Sequence, residues 1–179
     1  MHAVAFNVAV VAYVCAAGLA LAHLIQREEI VHRLASVSAL AGWVAHTVGM
    51  ILMSVDLGRP PLGNLAEAIS MAVWVVVLLE MWIERQYDVK VLGAFVFPIV
   101  VLLSLKTTAA KTAGFGPALH SAWIWVHITL ALVGIAAFVL NFAGALMYLL
   151  QERQLKGKRP GRLYYRLPSL PTLDRKSVV

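Results

Sequence analysis

The chain has 179 residues, of which 61% are hydrophobic and 13% charged, with a mean hydropathy of +0.81. An ordinary soluble domain carries about 45–50% apolar and about 25% charged residues, so this composition excludes soluble enzyme folds and indicates an integral membrane protein. The net charge of +6 does not mark a nucleic-acid binder, because eight of the fifteen Lys and Arg lie between Arg153 and Lys176, beyond the last apolar run; in a membrane protein that is an orientation signal.

Residues 1–26 hold no formally charged side chain. A secretory signal peptide would show a basic start, a shorter apolar core and a small-residue cleavage site, so residues 3–25 read as a retained first transmembrane helix. The segment 26–33 is polar, and 34–55 is a second uncharged span. Residues 56–64, DLGRPPLGN, are dense in turn formers and predict a loop at a membrane face. The third span is 65–83, with Glu67 and Glu80 expected at its two interfaces and Glu67 favouring the helix dipole.

The fourth span, 91–107, is the weakest. Its uncharged core of 15 residues contains Pro98; such a core covers about 22 Å against a ~30 Å hydrocarbon layer. Snorkelling by Lys90 and Lys106 extends it. The fifth span, 118–150, is longer than a bilayer needs and is expected to tilt or project. Residues 152–179 form a basic tail with Pro160, Pro168 and Pro171, not a further helix.

The expected fold is all-α: a polytopic transmembrane bundle of about five spans over residues 1–151, multi-pass in an inner (cytoplasmic) membrane. With five spans and the tail cytoplasmic, 12 Lys and Arg lie inside and 3 outside, with the N-terminus outside.

Polar groups inside a bilayer are functional candidates by default. Of the six histidines, His46 lies inside the second span, flanked by Trp43, Thr47 and Gly49. It reads equally as a packing residue bonded to a neighbouring carbonyl and as an axial ligand for haem iron. His120 and His127 are seven residues apart on one face of the fifth helix, about 10.5 Å along its axis, too far to share one small metal ion. His120 is expected to be interfacial and solvated, His127 deeper. Trp123 and Trp125 fit an interfacial aromatic belt or a surface for a flat cofactor. His2, His23 and His32 are expected to be solvated. Gly42, Gly49, Gly134 and Gly144 are expected to support helix packing. The single cysteine, Cys15, excludes intramolecular disulfides and Cys-based metal sites, and no hydrolytic motif is present.

Three blocks carry a resemblance: HTVGMILMSVDLGRPPLGNLAEAISMAVW (46–74), HSAWIWVHITLALVGIAAFVLNFAGALMYLLQERQLK (120–156) and RLPSLPTLDR (166–175). They resemble the cytochrome c assembly membrane proteins of the CcsA type, a haem-handling family marked by a tryptophan-rich WWD segment. The resemblance implies a role in cytochrome c biogenesis: haem is bound and delivered across the membrane for attachment to apocytochrome c. The implied cofactor is non-covalent haem b. The implied partners are haem, apocytochrome c, another cytochrome c assembly membrane protein and the lipid bilayer. By position His46 matches the family's transmembrane His and His127 its outer His, with His120, Trp123 and Trp125 as further haem-contact candidates. The resemblance also supports five spans. No WWD segment follows LDR, so a chain truncated before it is expected, at most part of a haem-ligating synthase and with no catalytic residue assigned. A HemX-type, haem-biosynthesis-associated membrane protein shares the architecture, and a non-haem scaffold or regulatory subunit is the third reading.

Overall fold

The computed structural model describes residues 1–109 and 122–156. They form five helices: α1 (His2–Gln26), α2 (Glu29–Leu57), α3 (Leu65–Tyr87), α4 (Leu92–Ala109) and α5 (Ala122–Lys156). The expected spans and helices agree in number and order. Four helices are long and apolar enough to cross a membrane; in α4 the apolar part, Leu92–Leu105, is shorter. Its 18 residues span about 27 Å, and it is buried along Ala94, Val96, Phe97 and Val100 between α1 and α3. Pro98 sits inside the helix without ending it.

The link expected at 26–33 is shorter than its polarity indicated. Only Arg27 and Glu28 separate α1 from α2, and Arg27 takes the left-handed conformation at φ 59°, closing α1 with its N–H on the His23 carbonyl. Glu29 lies over Arg33 one turn on and also pairs with Lys90 at 2.9 Å. Those pairs let a polar sequence start the second helix.

The α1–α2 seam is made of small residues. Ala9, Ala16, Ala17 and Ala20 on α1 face Ala35, Ala39, Gly42 and Gly49 on α2. A Cβ on Gly42 would come within 2.7 Å of the Tyr13 ring, so glycine is required for this approach. Gly134 and Gly144 depart from expectation: among the described residues nothing lies within 4 Å of a Cβ at either. Outward-facing Val4, Val8, Val11, Leu130 and Phe138 are exposed, the surface a bilayer covers. The expected tail residues beyond 156 lie outside the described residues.

Candidate functional site

His46 lies eleven residues before the end of α2, about 16 Å in from the face that carries the 58–64 turn. The helix period points it at both α1 and α3, and it is 3% exposed. Both ring nitrogens are engaged. Nδ1 is 3.2 Å from the Tyr13 hydroxyl and Nε2 is 2.9 Å from the Ser70 hydroxyl. A neutral imidazole has one donor and one acceptor nitrogen, and either tautomer satisfies this pair of hydroxyls. Phe6 stands edge-on to the ring at 5.5 Å.

One turn away Trp74 donates to Thr47 at 2.8 Å, Thr47 donates to the Trp43 carbonyl at 2.8 Å, and the two indoles stack at 5.1 Å. The space beside His46, bounded by Phe6, Tyr13, Ser70 and Ser104, is about 10 Å³, no more than about one water molecule occupies.

At the membrane face the turn before α3 is locked by Glu67. The Asn64 side chain caps α3 by accepting from the Glu67 N–H at 2.9 Å, while its amide donates to the Glu67 carboxylate at 2.7 Å. Gly63 N–H donates to the same carboxylate at 2.6 Å, and Arg59 binds it with two N–H groups. That hydrogen bond holds the Arg59 guanidinium above its usual range. Glu67 is buried within the protein at this face, and its capping role is as expected.

Glu80 departs further from expectation. It is 1% exposed, buried inside the bundle where an interfacial, accessible side chain was expected. His23 is also buried and His32 half-buried, where solvation was expected. The reason is tertiary: the short α1–α2 link folds both imidazoles together, with ring centroids 5.1 Å apart.

His127 has a different environment. It and Trp123, one helical turn earlier, share an exposed face of α5, with Trp123 82% exposed. Among the described residues His2 pairs with Asp56, His23 donates to the Glu28 carbonyl, His32 meets Glu84, and His46 is bound on both sides. His127 is the one described histidine with no such partner. The structure does not bring His46 and His127 into contact. His120 lies outside the described residues, as does the side chain of Trp125. Tyr13 and Ser70 were missed from sequence; their signal was a hydroxyl inside an uncharged span.

These features define a polytopic helical membrane protein with polar nodes inside the bundle. Residues 62–179 match the family described as cytochrome C assembly protein, and the chain belongs to that family. It is 28% identical to the protein HemX of Bacillus subtilis over 76% of this chain and 51% of that one. It is 29% identical to HemX of Brevibacillus brevis, over 84% and 56%. Identity to the cytochrome c biogenesis protein CcsA of Chlorella vulgaris is 33%, over 60% and 36%. The chain thus spans about half the length, or less, of these curated relatives. No solved structure matches it.

A haem macrocycle does not fit at His46 in this conformation, because the adjacent space is about 10 Å³ and both nitrogens are bonded. The His127 face does admit a flat group: the imidazole is open and an indole lies one turn away.

Proposed function

We propose that this chain binds haem non-covalently, as haem b, within an inner (cytoplasmic) membrane and serves cytochrome c biogenesis, with His127 as the imidazole that faces the iron. The observation that carries this reading is that His127, beside Trp123, is exposed and has no partner among the described residues. Membership of the cytochrome c assembly family supports haem handling, and Cys15 alone provides no cysteine pair for covalent attachment. Haem iron supplies an open coordination position that a neutral imidazole fills. His127 orients that group and Trp123 offers it an apolar flat surface.

His46 is not the haem-facing imidazole in this reading: Tyr13 and Ser70 hold its two nitrogens and the space beside it is about 10 Å³. The 58–64 turn and the α5 end with His127 face outward, and the basic tail inward. There haem passes to apocytochrome c together with another assembly membrane protein.

Haemin titration into the detergent-purified chain tests this. Wild type is expected to develop a saturable Soret band at one haem per chain, and His127→Ala to lose saturable binding. Equal binding by the two proteins would overturn the assignment.

A further inference from the structure

The end of the bundle opposite the 58–64 turn holds a second set of ionisable side chains, remote from His46 and His127. Glu80 on α3 is 1% exposed, and among the described residues its Oε1 has no hydrogen-bond partner. It lines a cavity of about 30 Å³ between α2, α3 and α4, room for about two water molecules. An ionised carboxylate with a bare oxygen in such a place is costly, so the group calls for a proton or a cation.

A row of proton-carrying groups leads outward from it. Glu84, one turn on along α3, accepts from Ser36 at 3.0 Å and lies 3.5 Å from His32 Nε2. The His32 ring is 5.1 Å from the His23 ring. His23 donates from Nδ1 to the Glu28 carbonyl, which leaves Nε2 with a free lone pair. His23 also lines a larger pocket of about 230 Å³ with Arg27, Glu29 and Lys90, open at this end of the bundle.

We propose that Glu80 is a proton-binding site supplied from that open pocket through His23, His32, Glu84 and cavity water. His23 takes a proton on Nε2 and releases it from the same nitrogen to water that passes it to His32, its Nδ1–H staying on the Glu28 carbonyl. His32 gives up a proton from Nε2 to Glu84. The net step moves one proton from water to the Glu80 carboxylate, with no change of oxidation state. The charged groups facing Glu80 are Glu84 and Arg85 on its own helix, His32 on α2 and Lys90 before α4. Among the described residues the cavity receives only Ala20 from α1 and only Gly93 and Phe97 from α4, and the α5 charges Glu152 and Arg153 do not line it. A metal ion is the weaker occupant, because the described residues contain no group of three or more His, Cys, Asp or Glu placed to hold one.

The proton has a structural consequence. A Cβ on Gly93 would sit 3.1 Å from Glu80 Oε1, so the α4 backbone lies directly on the carboxyl. The neutral carboxyl keeps the α3–α4 seam closed, and an ionised one sets charge against it.

Infrared spectroscopy of the full chain in nanodiscs tests this without haem. Wild type is expected to show the carbonyl stretch of a protonated carboxylic acid, lost in Glu80→Gln. Hydrogen–deuterium exchange of that band is expected to slow about a hundredfold in His32→Phe and in His23→Phe, the effect of losing one acid–base group. A hydrophobic carbodiimide, which labels protonated carboxyls, needs no variant: mass mapping of wild type is expected to find the adduct on Glu80. Absence of both the band and the adduct would overturn the site. Unchanged exchange in both histidine variants would overturn the path.

Discussion

Tyr13 and His46 meet across the α1–α2 seam, hydroxyl to Nδ1 at 3.2 Å, at the level where Gly42 lets the tyrosine ring lie against the α2 backbone. One side chain thus serves two purposes. Its ring fills the space left by a missing Cβ, and its hydroxyl satisfies one nitrogen of a buried imidazole.

Tyr13→Phe keeps the ring and removes the hydroxyl, so His46 Nδ1 is left buried without a partner. The expected cost is about 1–3 kcal/mol, read as a lower unfolding midpoint in detergent. Tyr148→Phe on the exposed side of α5 is the control, expected to stay within about 0.5 kcal/mol.

Gly42→Ala places a methyl group 2.7 Å from the Tyr13 ring, which must move or push α1 away. The expected loss is about 1–3 kcal/mol from overpacking. Gly134→Ala meets nothing within 4 Å and is expected to be neutral or to gain up to ~1 kcal/mol of helix propensity. Parallel thermal unfolding of the two variants checks the difference in sign.

Glu67→Ala removes the acceptor shared by Arg59, Gly63 and Asn64. Because these are hydrogen bonds to a charged group, the expected destabilisation is at least about 1.5–3 kcal/mol. Asn64→Ala removes only the cap and its amide bond, with an expected cost of about 1 kcal/mol. Limited proteolysis should show cleavage within 58–64 rising in the order wild type, Asn64→Ala, Glu67→Ala.

The five helices were legible because uncharged runs of span length separated by turn formers have few other solutions in a membrane. The α1–α2 link was not, since the Glu29–Arg33 and Glu29–Lys90 pairs that make its polar residues helical include a partner 61 positions away. Burial of Glu80, His23 and His32 escaped sequence reading for the same reason: each was near an end of a span, where an interface is the ordinary expectation, and α4 and the tight link covered them. His46 was recognised as a polar group in an apolar helix. Its engagement by Tyr13 and Ser70, 33 and 24 residues distant, depends on how three helices pack. Gly42 and Gly134 look alike in sequence, and only packing separates them.

The most direct measurement is the visible spectrum of the chain purified from a haem-sufficient host, beside His127→Ala, Trp123→Ala and His46→Ala. The expected result is a Soret band in wild type, lost in His127→Ala, weakened in Trp123→Ala and retained in folded His46→Ala. A band that survives His127→Ala and disappears in His46→Ala, or no band in folded wild type, would contradict the assignment of the open histidine as the haem-facing one.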